Sequence, residues 1–155
     1  MKIIVLAGGL STERDVSLSS AAGICRTLVE KGHDAFLLDV FMGLENAPEN
    51  LEDVFTLPDH GLEIVKNIST EEPDLEAVKA SRPDQSDCFF GPNVIELCRL
   101  ADITFLGLHG GEGENGKLQA SFDLLGIKYT GPDSLGCAVA MHKGVAKQIF
   151  LESGV

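Results

Sequence analysis

The fold class follows from residues 2–18, which read KIIVLAGGLSTERDVSL. After Lys2, the next five residues form an aliphatic run, typical of a strand covered on both faces in a parallel sheet. Gly8 and Gly9 then allow a tight turn. Beyond the turn, apolar residues recur with the spacing of one helical face, and Gly32 ends that pattern. The residues of this face are Leu18, Ala21, Ala22, Cys25, Leu28 and Val29.

More strands and helices are predicted along the rest of the chain. Residues 34–40 read as a second strand, and the order strand, helix, strand calls for a right-handed crossover and parallel pairing. Apolar runs over 103–108 and 127–130 predict two further strands. Periodicity and capping residues predict helices over 93–100, 117–125, 134–140 and 143–152. The expected class is α/β with a parallel sheet of about four or five strands.

The middle of the chain, residues 42–90, is predicted to be an acidic and irregular excursion. Between Glu45 and Asp87 there are twelve acidic residues against three basic ones. Four prolines interrupt the segment, and only short apolar patches remain. One or two short elements are expected here, with a strand pair near 52–68.

Composition limits the classes of function. The chain has 155 residues and fits one domain, and its net charge of −12 argues against nucleic acid as a partner. No apolar run reaches the roughly 18 residues of a membrane span, and the short apolar start is a poor signal peptide. The four cysteines are scattered without metal-ligand spacing, so no metal site is expected and a reduced, cytoplasmic location is.

The first candidate site is the loop that follows the first strand. The helix after Gly8 and Gly9 aims its amino-terminal amides at the place where ligands collect in such sheets. Glu13 can hold a ligand ammonium through a charge-assisted hydrogen bond. Alternatively, Glu13 is only a first-turn acidic residue that favours the helix dipole.

The second candidate site begins at His109, directly after the predicted strand at 103–108. Four glycines within the next seven residues place its imidazole beside exposed amides, which suits a carboxylate or phosphate. The alternative is a structural histidine. Glu112 and Glu114 are interpreted as loop-shaping residues that bond to backbone amides rather than as catalytic carboxylates. Lys143 can reach a nucleotide phosphate or can simply be an exposed lysine.

These segments together resemble the D-alanine–D-alanine ligase family. The first matching motif is Gly8-Gly9-x-Ser11-x-Glu13-Arg14-x-Val16-Ser17-Leu18-x-Ser20. The second is His109-Gly110 followed by Gly113-Glu114-Asn115-Gly116-x-x-Gln119. Two more are Tyr129-Thr130-Gly131 and Ala138-x-Ala140-Met141-x-Lys143. The likeness covers residues 1–40 and 100–155 and leaves the acidic middle aside.

The resemblance implies a fold and an activity. The fold is a three-layer α/β/α, Rossmann-like domain that precedes an ATP-grasp domain. The implied enzyme phosphorylates the carboxylate of one D-alanine with ATP and Mg²⁺. The amine of a second D-alanine then attacks the acyl phosphate, which gives a dipeptide for peptidoglycan. Whether D-lactate or D-serine replaces the second D-alanine is left open.

The resemblance also implies roles for individual residues. Glu13 would hold the ammonium of the first D-alanine as the catalytic-site carboxylate, with Val16 and Ser17 beside that substrate. His109 would lie near the substrate carboxylate. Lys143 would contact the nucleotide phosphates. A homodimer is expected on the same grounds.

Three departures from the family pattern affect these expectations. His142 stands where the family commonly has Asp, and Ala120 where it commonly has Gly. The third is that the family continues beyond Gly154-Val155 into ATP- and Mg²⁺-binding domains. Residues 1–140 are therefore expected to be a substrate-side domain and 141–155 the start of a linker. By themselves these residues are expected to be inactive and to bind ATP or Mg²⁺ only weakly.

Two alternatives remain at this stage. One is a non-catalytic binding or dimerisation module. The other is the corresponding domain of a different ATP-grasp enzyme, such as a carboxylase or another amino-acid ligase. The Glu13-Arg14-x-Val16-Ser17 segment argues against the second, because a generic domain of that type does not need it.

Overall fold

The computed structural model of the protein describes residues 1–66 and 72–155. Its strands are β1 (Lys2–Ala7), β2 (Asp34–Asp39) and β3 (Ile103–Leu106). Its α-helices are α1 (Arg14–Glu30), α2 (Leu75–Ser81), α3 (Val94–Leu100), α4 (Lys117–Leu125), α5 (Ser134–Met141) and α6 (Lys143–Glu152). Short 3₁₀ turns occur at Leu51–Thr56, Leu62–Val65 and Gly111–Gly113. The helices predicted from periodicity are confirmed to within a residue or two.

The three strands form one parallel sheet in the order β2–β1–β3. The central strand pairs along its whole length with β2, from Lys2 opposite Asp34 to Ala7 opposite Asp39. It is buried from Ile3 onward, which explains why its sequence is aliphatic without alternation. The ends of β1 and β3 therefore lie side by side at one edge of the sheet.

Helices cover both faces of the sheet. On one face, Val5 and its neighbours pack against the apolar side of α1, including Leu18 and Cys25. On the other face, Ile4 and Leu6 pack in a cluster that contains residues of α3 and α4, such as Leu97 and Phe122. Full burial of each such side chain stabilises the fold by roughly 1.5–3 kcal/mol. The architecture is thus α/β in three layers.

The sheet has three strands, not the four or five expected from the sequence. Residues 127–130 contribute only an isolated parallel bridge, between Thr104 and Tyr129. The ladder stops there because the backbone amide of Leu106 donates to the side-chain hydroxyl of Thr130, at 3.1 Å, and not to a backbone carbonyl. Pro132, two residues on, has no amide to continue the pairing.

The strand pair predicted near 52–68 is wrong for the part of that range that the structure describes. Residues 51–56 and 62–65 are 3₁₀ turns, while 67 and 68 lie outside the described residues. The segment packs against β2, where the amide of Leu37 donates to the carbonyl of His60 at 2.9 Å. Gly61 follows with φ +73°, and a Cβ there would lie 2.1 Å from the Leu37 carbonyl oxygen. This left-handed turn cannot continue an extended strand.

The later part of the acidic excursion is held by a buried arginine. The Arg82 guanidinium lies 4.8 Å from the centre of the Phe41 ring and donates to the carbonyls of Cys88 and Phe90. It also pairs with Asp84, whose pKa is lowered by the Ser86 backbone amide and then by the Arg82 contact. The excursion is irregular in backbone but fixed at this point to the rest of the domain.

None of the helices in the described residues combines the length and the apolar character that crossing a bilayer requires.

Candidate functional site

The two motif loops meet at the ends of β1 and β3, and serine hydroxyls join them. The Ser11 hydroxyl donates to the carbonyl oxygen of His109 at 2.6 Å. The Ser17 hydroxyl donates to the carbonyl oxygen of Gly107 at 2.8 Å and accepts from the amide of Gly8 at 3.0 Å. Here the corner denotes the loops 8–17 and 107–116 in this arrangement. Its two halves are nearly a hundred residues apart in the chain and are cross-linked by hydrogen bonds.

A buried ion pair between Arg14 and Asp39 supports the first loop from behind. Arg14 is the first residue of α1, and its guanidinium pairs with the Asp39 carboxylate at the end of β2. The same guanidinium donates to the carbonyl of Gly9 at 2.7 Å. Asp39 also accepts from the amides of Phe41 and Met42, at 2.9 and 3.1 Å. Both partners of the pair are therefore also hydrogen-bonded to nearby backbone, Arg14 to Gly9 and Asp39 to the two residues that follow β2.

The turn itself depends on glycine. Gly8 has φ +74°, and a Cβ there would lie 2.6 Å from the carboxyl carbon of Asp39. A side chain at this position would therefore be strained and would also displace the ion pair. The close approach of backbone to carboxylate fixes the direction in which the loop leaves β1.

Glu13 is exposed, and its side chain extends from the first loop (8–17) towards the second (107–116). Its carboxylate packs over Gly110, where a Cβ would lie 2.7 Å from Oε2. Gly110 has φ 69° and ψ 176°, a conformation that essentially only glycine adopts. The Glu13 carboxylate accepts no hydrogen bond from any described residue and does not cap α1. It is available to a ligand ammonium, and its position before α1 also suits the helix dipole.

His109 is half-buried next to the loop that carries Glu13. Its Nε2 lies 3.2 Å from the hydroxyl of Ser20 on α1. Its carbonyl is the acceptor for Ser11. The structure thus brings Glu13 and His109, which the sequence placed in separate candidate sites, to one corner.

Val16 and Ser17 differ in what they can offer to a ligand. Val16 is 60% exposed on the first turn of α1. Ser17 is fully buried, and its hydroxyl is occupied by the backbone groups of Gly107 and Gly8. In this geometry Val16 presents apolar surface, and Ser17 shapes the corner from behind. Direct contact of either with substrate stays a prediction.

Lys143 is exposed at the first position of α6. The helix is capped by His142, whose Nδ1 accepts from the amide of Val145 at 3.2 Å. No hydrogen bond or ion pair among the described residues links Lys143 to the corner. Its contact with a nucleotide stays a prediction.

The glycine-rich loop is shaped by other residues than expected. Glu112 forms an exposed ion pair with Lys117, at 3.4 Å, in place of the predicted bonds to backbone amides. The backbone is held by Gln119, which donates to the Gly113 carbonyl at 2.8 Å, and by Asn115, which accepts from the Lys117 amide at 3.1 Å.

Sequence reasoning missed the roles of Arg14, Asp39, Ser11 and Ser20. Two signs were available in the sequence. A basic residue in the first turn of a helix opposes the helix dipole, so Arg14 needs a buried or charged partner. An acidic residue at the end of an apolar strand, Asp39, is equally unexpected on the covered side of a sheet.

The described residues contain no group of three or more His, Cys, Asp or Glu side chains that could hold a metal ion. The four cysteines are free thiols. Burial raises the pKa of Cys25 to about 11 and that of Cys98 to about 12, so neither is a thiolate nucleophile near neutral pH. The chemistry of the corner is that of a carboxylate and an imidazole.

Comparison with known proteins gives one family. A family model described as "D-ala D-ala ligase N-terminus" matches residues 2–132. The D-alanine--D-alanine ligase of Lacticaseibacillus casei (strain BL23) is 45% identical over 155 residues, which are 100% of this chain and 43% of the relative. That of Pediococcus pentosaceus is 48% identical over 160 residues, covering 100% of this chain and 44% of the relative. The chain therefore spans less than half the length of the curated relatives it matches.

Solved structures agree on the fold. The D-alanine--D-alanine ligase from Bacillus anthracis complexed with ATP is similar with a TM-score of 0.61 and 22% identity, over 100% of this chain and 38% of that one. The ligase from Coxiella burnetii gives a TM-score of 0.60 and 24% identity, over 100% of this chain and 42% of that one. At these identities the likeness concerns the fold alone.

Proposed function

The chain belongs to the D-alanine–D-alanine ligase family, as its amino-terminal part, and from that premise we propose how it works. It is the substrate-side domain of an enzyme that joins two D-alanines through an acyl phosphate, at the expense of ATP, for peptidoglycan synthesis. The domain holds the first D-alanine at the corner of Glu13 and His109.

The observation that carries this proposal is that Glu13 and His109 lie at the same corner, on the loops that follow two neighbouring strands. A free amino acid is a zwitterion, and its recognition needs one acceptor for the ammonium and one donor for the carboxylate. Glu13 is an exposed carboxylate without a hydrogen-bond partner among the described residues. His109 supplies an imidazole on the neighbouring loop, tied to the first loop through Ser11. The corner thus offers a carboxylate for the ammonium and, when the imidazole is cationic, an N–H donor for the carboxylate.

In this proposal the domain contributes positioning. Glu13 holds the ammonium by charge-assisted hydrogen bonds, and the exposed side of Val16 contacts the methyl group. His109 lies near the carboxylate oxygen that reacts. The buried Arg14–Asp39 pair and Ser17 hold the loop in place. Phosphoryl transfer gains most from such positioning and from charge neutralisation, because little covalent help from the protein is needed.

ATP and Mg²⁺ supply the phosphoryl group and neutralise its charge when bound. The described residues offer no cluster of three or more His, Cys, Asp or Glu side chains that fits Mg²⁺. Lys143, at the exposed start of α6, is the residue proposed to contact the nucleotide phosphates.

The domain boundary is proposed at residue 140, with 141–155 leading towards further domains. An apolar groove of about 440 Å³ between α5 and α6 supports this boundary. Leu135, Ile149 and Phe150 line it and are exposed. Because the curated relatives are more than twice as long, the remaining part of such a ligase is the proposed cover of this groove. Assembly as a homodimer and a cytoplasmic location are proposed on the family resemblance.

The test is ATP- and D-alanine-dependent phosphate release, measured on the full-length protein that the gene encodes and on residues 1–155 alone. The full-length protein is expected to release phosphate only when both substrates are present, and residues 1–155 are expected to be silent. Phosphate release that does not depend on D-alanine would point to another ATP-grasp enzyme. Silence of the full-length protein would contradict the proposal and leave a binding module.

A further inference from the structure

The hydroxyl of Ser20 has two neighbours that together determine its role. It donates to the carbonyl oxygen of Ser17 on its own helix, at 3.1 Å. It also lies 3.2 Å from Nε2 of His109. A serine hydroxyl has one proton to donate and two lone pairs that accept. A carbonyl oxygen only accepts, so with the hydroxyl proton directed at Ser17 the contact with His109 is one in which Ser20 accepts.

We propose that Ser20 positions His109 and selects the tautomer in which Nε2 carries the proton. A neutral imidazole has one N–H donor and one acceptor nitrogen. With Nε2–H directed at Ser20, the lone pair is on Nδ1, and Nδ1 is the nitrogen left for a ligand. In a cationic ring both nitrogens donate, so Nδ1–H is the donor for the substrate carboxylate while Ser20 remains a suitable acceptor for Nε2–H. The same contact therefore orients the ring in either charge state.

His109 is fixed at two points by this arrangement. Ser11 holds its carbonyl at 2.6 Å, which sets the backbone, and Ser20 holds its ring, which sets the side chain. Both serines come from the first loop and helix, and the histidine comes from the second loop. A positioned imidazole loses less conformational entropy when a ligand binds than a freely rotating one does.

The neighbouring Ser19 provides a matched control. It is an exposed serine on the same turn of α1, and its hydroxyl makes no hydrogen bond with any described residue. Replacing either serine by alanine removes the same atom from the same surface helix. Only the Ser20 change removes a contact with His109.

The first experiment measures the tautomer directly, in the 155-residue chain. Long-range ¹⁵N–¹H correlation spectra at a pH where His109 is neutral distinguish protonated from unprotonated ring nitrogens. The four histidines are separated by comparison with His109→Gln. We expect Nε2 of His109 to carry the proton in the wild type. In Ser20→Ala the ratio of Nδ1–H to Nε2–H should rise roughly two- to tenfold, the range for loss of one hydrogen bond.

Ser19→Ala should leave this ratio unchanged, and Ser20→Thr, which keeps the hydroxyl, should restore it. A wild-type His109 protonated mainly on Nδ1 would overturn the proposal. An equal response to Ser19→Ala and Ser20→Ala would do the same, because it would reflect a change in the helix rather than the contact.

The functional part of the inference rests on the proposed role of His109. In the full-length enzyme, Ser20→Ala should raise the KM for D-alanine roughly two- to tenfold while the KM for ATP stays constant. A normal KM for D-alanine with an altered tautomer would show that Ser20 orients the ring without serving substrate binding. If the full-length protein has no ligase activity, the tautomer measurement still tests the role of Ser20. Failure of the proposed function is therefore distinguishable from failure of this inference.

Discussion

The corner at the ends of β1 and β3 differs from the carboxy-terminal helix pair α5–α6 in how it uses its side chains. The corner directs charged groups inward: Arg14 and Asp39 are 8% and 3% exposed and satisfy each other and the loop backbone. The helix pair directs apolar groups outward: Leu135 and Phe150 are 71% and 57% exposed. Each arrangement reverses the usual preference of its residues for water or for the core.

The difference shows which part of the domain is complete by itself. The buried polar groups at the corner, Arg14, Ser17 and Asp39, find partners within the described residues, so its geometry is present before a ligand arrives. The helix pair buries only part of its apolar surface, and α6 packs mainly on α5. We therefore expect the corner to be sensitive to mutation in the 155-residue chain and the helix pair to be sensitive in the full-length ligase.

The largest effect is expected for Asp39→Ala. Removing one partner of a buried ion pair leaves an uncompensated charge, here Arg14, which costs about 3–5 kcal/mol. Urea denaturation of the 155-residue chain measures this loss in the free energy of unfolding. Asp15→Ala, on the first turn of α1 and without a hydrogen-bond partner among the described residues, is the control and should stay within about 0.5 kcal/mol of wild type. A loss below about 1 kcal/mol for Asp39→Ala would mean that the pair does not hold the corner.

The next effect concerns the close approach at Gly8. Gly32 has a similar φ, +81°, but open space around its would-be Cβ, so Gly32→Ala should cost only the backbone strain of about 1–2 kcal/mol. Gly8→Ala adds overlap with the Asp39 carboxylate and should cost about 1–3 kcal/mol more. Denaturation of both variants under the same conditions gives the difference. Equal losses would show that the loop can move away from Asp39 freely.

Thiol labelling compares the local stability of the two regions. Cys25 lies on the inner face of α1 and Cys137 on α5, and both are buried. Burial raises the pKa of Cys25 to about 11 and raises that of Cys137 as well, so at pH 8 both thiols are protonated and react only after the structure opens. We expect Cys137 to react at least about tenfold faster than Cys25, because opening α5 exposes less core. Single-cysteine variants followed by mass spectrometry measure the two rates. Comparable rates would show that the helix pair is as firmly packed as α1 is against the sheet.

The same raised pKa of Cys25 fixes the sign of one pH effect. The folded state favours the protonated thiol. Its contribution to the free energy of unfolding is therefore complete below the ordinary pKa of about 9 and is lost as the pH rises through about 11. The free energy of unfolding should therefore decline over this interval, less steeply in Cys25→Ala. Denaturation at pH 8 and pH 10.5 compares the two proteins, and parallel declines would exclude a contribution from this thiol.

The smallest effect is expected for Phe150→Gln. Because the ring is largely exposed, the 155-residue chain should lose no more than about 0.5 kcal/mol of stability. In the full-length ligase the same change should destabilise measurably more, since the ring is proposed to be covered there. Thermal denaturation of the 155-residue chain and of the full-length protein tests this. An equal, negligible effect in both would contradict the proposal that the groove is covered in the full-length protein.

The helices were predictable from sequence because their signals are local. Gly126 ends α4 with φ +67°, and Asp133 caps α5 by accepting from the amide of Gly136, both as periodicity and capping rules indicate. The strand at 127–130 was overestimated because its end depends on where the hydroxyl of Thr130 bonds. Such a choice between side chain and backbone cannot be seen in an apolar run.

The candidate site was predictable in its residues but not in its geometry. Glu13 and His109 stood out by their position after predicted strands. Their meeting depends on Ser11 and on the buried Arg14–Asp39 pair, contacts between residues far apart in the sequence. No spacing rule connects such partners. The strand pair near 52–68 failed for a similar reason, since Gly61 turns against Leu37 of a distant strand.

The most direct test of the proposed substrate site is the KM for D-alanine in the proposed full-length ligase with Glu13→Gln. Loss of the carboxylate charge removes a charge-assisted hydrogen bond of about 1.5–3 kcal/mol, so this KM should rise roughly ten- to a hundredfold while the KM for ATP is unchanged. Asp15→Asn, the matched charge removal two residues away, should leave both values alone. An unchanged KM for D-alanine in Glu13→Gln, or an equal rise in Asp15→Asn, would contradict the claim that this corner holds the substrate ammonium.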